Sequence, residues 1–307
     1  MRKKGKVRKK PNIGRAKRSE TSIVFSIYVD IPEENLDNPG WWENGVQVKT
    51  DKSLQTKNAL KAYYDRLNKV KKDYANNINA DYILFEGGKD YDEYCDFFKN
   101  NYPQISEYDI INFYKQWKMK DLAEQYDKIC YLDFDVVPNT KENIFKAHKI
   151  DTHFACAENN HLASEGKRLA INDPDRYQTC IRNPASKFWN CHAMLSEEGY
   201  EPDTDVFNTG IMVATKEIVK KLDYFGDFEK VLELMTHLKE DENSMYPPTV
   251  QRVFNYDNET VFAYKRVINE VDIDYINDDW HWRVDSVIFK KDAKMFHVMN
   301  KKFGYFL

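Results

Sequence analysis

The chain has 307 residues, of which 42% are hydrophobic and 14% aromatic, which is enough apolar material for a large folded core. Its formal net charge is -4, but ten of its 46 lysines and arginines lie in residues 1–19, so the remainder carries 36 basic against 50 acidic side chains. So acidic a body argues against a nucleic-acid-binding protein, because phosphate contacts need clustered Lys and Arg.

Residues 1–20 form a basic leader that is too polar to fold alone, and we expect it to be disordered. Attachment to an acidic membrane surface and a nuclear-type address are the alternatives. No apolar segment follows it, and no stretch of the chain is long enough to span a bilayer. The five cysteines include no C-x-x-C pair, which argues against a disulfide framework or a zinc ribbon. We therefore expect a cytoplasmic protein.

From residue 21 to 307 the pattern alternates between strands and helices and predicts a single α/β domain with a mixed, mainly parallel sheet flanked by helices. Segment 158–205 lacks this periodicity, and we expect it to form an irregular wall or lid on the acceptor side. The predicted strands are 21–29, 80–85, 129–132, 152–157, 207–214, 271–276 and 294–298. The predicted helices are 53–75, 106–126, 141–148, with Thr140 as its cap, and 216–238.

Two carboxylates, Asp133 and Asp135, follow the buried run 128–132 directly. In open α/β sheets the carboxyl ends of the strands face the ligand cleft. Mg²⁺ and Mn²⁺ usually join one or two carboxylates to a substrate phosphate. The pair therefore predicts a metal-dependent site for a nucleoside diphosphate compound. Tyr28 and Asp30, where the first predicted strand ends, lie at the same edge and are candidates for binding that compound.

Three sequence features occur in a fixed order: YLDFD at 131–135, DVFNTG at 205–210, and His297 near the last residue. Together they resemble the GT-A glycosyltransferases, and within these the retaining family that includes glycogenin and bacterial lipopolysaccharide galactosyltransferases. The resemblance extends over residues 22–302. It implies a GT-A, Rossmann-like fold and an enzyme that transfers a hexose or similar sugar from a UDP-sugar, with retention, to a glycan, protein or lipid-linked acceptor.

The resemblance also implies a metal site. In the family, the two aspartates and the late histidine bind Mn²⁺, or Mg²⁺, against the diphosphate of the UDP-sugar. Here those ligands correspond to Asp133, Asp135 and His297.

Further residues acquire roles through the same resemblance. A basic residue on the helix ahead of the aspartate pair reaches the donor, and Lys118 or Lys115 lies at about that position. Asp205 and Asn208 match positions that contact the sugar or the acceptor. Asparagine is disfavoured in strands, so Asn208 between apolar neighbours independently suggests a specific hydrogen bond.

Two departures from the family pattern affect the site. The family continues its late histidine with a glycine and a Lys-Pro-Trp sequence, which are absent here, so Lys301 or Lys302 would meet the phosphate from an altered loop. A family segment that places an acid near the anomeric carbon is best matched by residues 250–255, which supply Gln251 but a valine where the acid belongs. Asp241 or Glu242 could replace that acid. The candidate bases for an inverting reaction are Asp203, Asp205, Asp241 and Glu242.

Two other functions remain open from the sequence. A sugar-phosphate nucleotidyltransferase or a phosphohydrolase would share the metal and the nucleotide, although no G-x-x-x-x-G-K-S/T loop is present. A catalytically inactive nucleotide-sugar binding protein is the second alternative.

The aromatic segment 280–282 either lines an acceptor groove or belongs to the core.

Overall fold

The apolar runs of the sequence form strands in the structure, a computed structural model that describes residues 20–36, 41–43, 46–48, 52–159, 184–202, 204–240, 251, 254, 256–284 and 290–307. The strands are β1 (Ser22–Tyr28), β2 (Trp41–Glu43), β3 (Val46–Val48), β4 (Asp81–Glu86), β5 (Lys128–Leu132), β6 (Val136–Pro138), β7 (Phe154–Glu158), β8 (Phe207–Thr215), β9 (Ile273–Tyr275), β10 (Trp282–Arg283) and β11 (Met295–His297). The helices are α1 (Lys52–Ala62), α2 (Tyr64–Asn77), α3 (Lys89–Asn101), α4 (Glu107–Leu122), α5 (Ile144–Ala147), α6 (Pro184–Glu197), α7 (Lys216–Leu222), α8 (Phe228–Glu240) and α9 (Asn258–Ile268).

The central sheet has the strand order β4-β1-β5-β8-β7-β9. Strand β8 runs antiparallel to β5 and β7, and the other adjacent pairs in this sheet are parallel. The predicted mixed, mainly parallel sheet is thereby confirmed. Because β8 is reversed, its amino end lies at the same edge as the carboxyl ends of β1 and β5.

Side chains of β1 alternate between the two faces of this sheet, as a strand requires. Ile23, Phe25 and Ile27 join a core that contains residues of α3, α4 and α6 to α9. Val24 joins a second core, which contains residues of α2 and α5. Helices therefore cover both faces, and all nine residues of β8 are buried between them.

A smaller sheet with the order β10-β11-β6 lies beside the carboxyl edge of β5. Strand β6 begins four residues after β5 ends, and β11 pairs with it antiparallel, so that His297 lies opposite Val136. Arg283 on β10 lies opposite His297 on the other side of β11. The late histidine is thus brought to the residues that follow β5.

Several predicted elements need correction. The helix expected over 216–238 is divided into α7 and α8, because Asp223 and Asp227 adopt left-handed backbone angles, with φ of 41° and 47°. The helix expected over 53–75 is likewise divided at Tyr63. Asn143, and not Thr140, caps α5, since its side-chain oxygen accepts the Phe145 N–H.

The interpretation of 158–205 as irregular is wrong for α6, and helices α3 and α9 were not predicted. Among the described helices, none combines the length and the apolar composition needed to cross a bilayer. Residues 1–19 and 160–183 lie outside the described residues, so the leader and most of the proposed lid stay predictions.

Candidate active site

Three segments that are distant in sequence meet at the carboxyl edge of β5. The turn after β5 carries Asp133 and Asp135, and it is held to the start of β8 because the Asp133 N–H donates to the Gly210 carbonyl oxygen over 2.7 Å. On its other side, the Val298 N–H donates to the Asp135 carbonyl oxygen over 3.0 Å. These backbone bonds fix the aspartate pair between β8 and β11.

The side chains of Asp133, Asp135 and His297 form a cluster in which one donor atom from each lies within 4.8 Å of the others. The His297 Nε2 atom is 3.4 Å from Asp135 Oδ1 and 3.7 Å from Asp133 Oδ2. Asp135 and His297 are buried, with 7% and 5% of their surface exposed, whereas Asp133 is partly open to solvent. The open side of the cluster therefore faces outward past Asp133.

This donor set fits a divalent cation. Carboxylate oxygens suit Mg²⁺ and Mn²⁺, and a single imidazole nitrogen is compatible with Mn²⁺. A buried, ionised carboxylate such as Asp135 would be costly without a positive partner, because a charge removed from water needs one. In the structure, lysine side chains next to the two carboxylates supply that positive charge.

Two lysines balance the charge of the aspartate pair. Lys301 Nζ forms an ion pair with Asp135 Oδ2, and Lys115 Nζ lies 3.7 Å from Asp133 Oδ1. Burial opposes ionisation of Asp135, but the charges of Lys301 and His297 outweigh it and hold the pKa of this carboxyl well below its usual range. Asp135 is therefore ionised at neutral pH, as a metal ligand must be. Tyr131 donates its O–H to Asp133 Oδ1 over 2.6 Å and so orients the Asp133 carboxylate.

Gly210 brings His297 and Asn208 together. A Cβ atom at position 210 would lie 2.5 Å from His297 Cε1 and 2.9 Å from Asn208 Oδ1, which no relaxed side chain tolerates. The Gly210 N–H donates to Asn208 Oδ1 over 3.0 Å. This local hydrogen bond sets the Asn208 amide beside the histidine, and contact of Asn208 with a sugar stays a prediction.

The second ring nitrogen of His297, Nδ1, lies 2.9 Å from Nε2 of His281. The two rings are nearly parallel, with 12° between their planes, and His281 is only 1% exposed. Burial, with a smaller contribution from His297, lowers the pKa of His281 well below its usual value. His281 is therefore neutral. Because it is buried, it does not line an acceptor groove. Trp280 is also buried in the core.

A buried lysine on α2 donates a hydrogen bond to the aspartate turn, residues 133–135. Lys71 on α2 is completely buried, and its Nζ donates to the Phe134 carbonyl oxygen over 2.8 Å. Burial lowers the pKa of Lys71 to about 7, although Asp135 and Asp133 oppose this shift. Its position could have been found from the sequence, because Lys71 lies four residues after Leu67 on the apolar stripe of α2.

The amino end of α9 forms a polar cluster against β8. Glu259 accepts the Thr209 N–H over 2.8 Å, and Asn258 Nδ2 donates to Thr209 Oγ1 over 3.1 Å. Asp257 caps the helix by accepting the N–H groups of Glu259 and Thr260, both over 3.1 Å. Lys187 on α6 forms an ion pair with Glu259, in which the two side chains are 12% and 11% exposed. An acid and an amide, Asp257 and Asn258, thus lie side by side at the start of α9.

The candidates on β1 lie at the same edge. Tyr28 packs against Tyr64 and Phe134, with ring centroids 5.0 and 4.9 Å apart. Phe134 is the residue between the two aspartates, so Tyr28 adjoins the cluster. Asp30 forms ion pairs with Lys57 at 3.1 Å and Lys61 at 3.2 Å, and hydrogen bonds from these lysines lower its pKa.

The two lysines considered on α4 differ in their contacts. Lys118 Nζ pairs with Asp90 at 2.6 Å and Asp121 at 3.3 Å, whereas Lys115 is the one that faces Asp133. Of these two lysines, Lys115 is therefore the one that adjoins the aspartate pair.

The other predicted residues are more dispersed. Asp205 accepts a hydrogen bond from the Tyr275 O–H at the end of β9. Lys302 is exposed, and its backbone N–H donates to Asn300 Oδ1 over 3.1 Å. Gln251 is partly buried and accepts the Phe254 N–H on its carbonyl oxygen. Asp241, like Asp203 and Glu242, lies outside the described residues.

The sequence model of glycosyl transferase family 8 matches residues 34–297, most of the chain. A mixed sheet with a paired-aspartate cluster at its carboxyl edge agrees with the GT-A glycosyltransferases that the motifs resemble. The chain belongs to glycosyl transferase family 8 and is a glycosyltransferase. This confirms the resemblance drawn from the sequence.

Solved structures give weaker likenesses. A glycosyltransferase involved in the glycosylation of the major capsid of PBCV-1 has 13% identity and a TM-score of 0.40, over 91% of this chain and 92% of that one. The galactosyltransferase LgtC, with donor and acceptor sugar analogs, has 12% identity and a TM-score of 0.45, over 90% and 86%. Mouse xyloside xylosyltransferase 1 has 12% identity and a TM-score of 0.39, over 71% and 75%. The family assignment rests on the sequence match alone, and no curated protein matches significantly.

Proposed function

We propose that the protein transfers a hexose or similar sugar from a UDP-sugar to a glycan, protein or lipid-linked acceptor, with retention, in a reaction that needs Mn²⁺ or Mg²⁺. The observation that carries this proposal is the cluster of Asp133, Asp135 and His297, whose donor atoms lie within 4.8 Å of one another. Membership of glycosyl transferase family 8 supports it over a nucleotidyltransferase or a phosphohydrolase.

A cation bound by these three residues would neutralise the negative charge that builds on the departing diphosphate. Lys301 and Lys115 border the carboxylates and add positive charge on the side where a diphosphate would lie. Lys301 would exchange its partner, from Asp135 to a phosphate oxygen, when the site is loaded. Lys302 lies next to it on the surface and is a second candidate for the phosphates.

On the sugar side of the site we assign binding roles to Asp205 and Asn208, as the sequence predicts. To these we add Asn258, whose amide donates to Thr209 of β8, and its neighbour Asp257, which caps α9. Retention by attack from the face of the leaving group requires positioning and phosphate stabilisation more than a strong base. Gln251 and Asp241 stay predictions for the same face of the donor.

The proposal is tested by incubating the purified protein with a panel of nucleotide sugars and measuring the nucleotide released, with and without Mn²⁺. We expect release from UDP-sugars only when the metal is present. Asp135→Asn removes a ligand charge and should reduce release by at least about 100-fold. Asp73→Asn is the matched control, because Asp73 is exposed and pairs with Lys69 on the surface of α2.

Two results would contradict the proposal: turnover that survives removal of the metal with EDTA, and full turnover in Asp135→Asn. The anomeric configuration of the product, read by NMR, tests retention separately. Release of pyrophosphate from UTP and a sugar phosphate would identify a nucleotidyltransferase instead.

A further inference from the structure

His281 is a buried residue next to the proposed metal site that has no assigned role. It lies just ahead of β10, and its backbone is fixed because its N–H donates to the Asn277 carbonyl oxygen over 2.9 Å. Its ring meets His297 through Nε2, at 2.9 Å from His297 Nδ1. The other nitrogen of His297, Nε2, is the one that faces the two aspartates. The two nitrogens of His297 therefore face different partners.

The positions of the protons follow from these contacts. If His297 binds a cation through Nε2, that atom must offer its lone pair, so the proton of the neutral ring is on Nδ1. His281 Nε2 is the atom within hydrogen-bond distance of that N–H and can accept it. His281 then carries its own proton on Nδ1, a buried atom that has no hydrogen-bond partner in the part of the chain described.

Packing leaves His297 little freedom to adopt another orientation. Gly210 lies against the Cε1 and Nδ1 atoms of the ring, and only the absence of a Cβ makes room for it. His281 lies nearly parallel to it at a centroid distance of 5.1 Å. A flipped ring would direct a carbon atom at the aspartates. The contact with His281 thus selects both the orientation and the tautomer.

We propose that His281 is a positioning residue that accepts the Nδ1–H of His297 and so directs the Nε2 lone pair of His297 at the cation. Second residues of this kind orient metal-binding histidines, usually through a carboxylate, a backbone carbonyl or a water. Here a neutral imidazole takes that place. The inference rests on the proposed metal dependence, and it concerns a residue that would not touch metal, donor or acceptor.

The test compares two substitutions in the full chain. His281→Phe keeps a flat ring but has no acceptor, and His281→Gln keeps an acceptor oxygen close to the position of Nε2. Mn²⁺ alone is titrated into each protein, and free Mn²⁺ is measured from its electron paramagnetic resonance signal. We expect the dissociation constant to rise about 10- to 100-fold in His281→Phe and to stay within about threefold of wild type in His281→Gln.

Thermal unfolding without metal separates positioning from a general loss of structure. His281→Leu, which also lacks an acceptor but is smaller, repeats the test if His281→Phe does not fold. Wild-type affinity in a folded His281→Phe or His281→Leu overturns the inference, as does equal weakening in His281→Gln. If the wild-type protein itself binds no Mn²⁺, the proposed metal dependence fails and this inference fails with it. That result is distinct from the two variant results, which would overturn the inference about His281 alone.

Discussion

At the scale of single residues, Gly210 is the position where the site has least tolerance. The residue needs no unusual backbone angle, so its importance comes from the space it leaves. A methyl group there would lie 2.5 Å from the His297 ring and 2.9 Å from Asn208 Oδ1. The carbonyl oxygen of Gly210 also accepts a hydrogen bond from the Asp133 N–H. The histidine or the aspartate turn would have to move.

We therefore expect Gly210→Ala to weaken Mn²⁺ binding and sugar transfer by about 10-fold or more, because the added methyl group would displace His297, a proposed ligand that needs a defined geometry. The measurements are the Mn²⁺ dissociation constant and the rate of UDP release. Gly87→Ala is the control, because a Cβ at Gly87 would meet only Val29 Cγ1, at 3.8 Å. Equal losses in both variants would contradict the steric explanation.

At the scale of elements, the ion pair between Lys187 and Glu259 joins α6 to α9. Glu259 also accepts the Thr209 N–H, so the pair connects both helices to β8 beside the active site. Burial opposes ionisation of Glu259, but the charges of Lys187 and Lys115 lower the pKa of this carboxyl. Removing one partner of such a pair leaves a buried charge that nothing nearby fully balances.

Lys187→Met should lower the free energy of unfolding by about 3 kcal/mol near pH 7. Because the pKa of Glu259 is lowered in the folded state, the stabilisation is complete above the ordinary glutamate pKa and is lost as the pH falls through the lowered value. Urea unfolding at neutral and acid pH measures both effects. Lys230→Met is the control, since Lys230 and its partner Asp227 are about three-quarters exposed. A similar change in both variants would rule out the buried pair as the cause.

Strands were easier to predict than helix limits. The strands 129–132 and 207–214 were predicted within one residue of β5 and β8, because each contains four consecutive apolar residues, 129–132 and 211–214, a pattern typical of a strand buried on both faces. The division of 216–238 was missed, although Gly226, which lies between the two left-handed aspartates, is a signal for a break in a helix. Helix α9 was missed because its cap, Asp257, follows a polar segment with no clear period.

The same distinction applies to the site. Asp133, Asp135 and His297 could be selected from the sequence because each follows or ends an apolar run and together they form a motif. His281 could not, since its role depends on the position of its ring beside His297, which no sequence period reveals. Lys71 was also missed, although its position four residues after Leu67 on the apolar stripe of α2 indicated that it would be buried.

At the scale of the whole molecule, binding of a cation should stabilise the fold, because the three ligands are together only in the native state. At a Mn²⁺ concentration 100 times the dissociation constant, the gain is about 2.7 kcal/mol. For a chain of this size we expect the midpoint of thermal unfolding to rise by roughly 5 °C. Asp135→Asn should show almost no rise. The same rise in that variant would place the cation elsewhere.

The pairing of β11 with β6 has a consequence for how the protein is made. His297 follows Asp135 by more than 160 residues, and β11 is the last strand of the described chain. During synthesis the aspartate turn leaves the ribosome long before the histidine that completes its cluster. Until then Asp135 lacks both His297 and Lys301, and the growing chain has no complete cation site. Under the proposed metal dependence, sugar transfer would thus begin only after β11 has paired with β6.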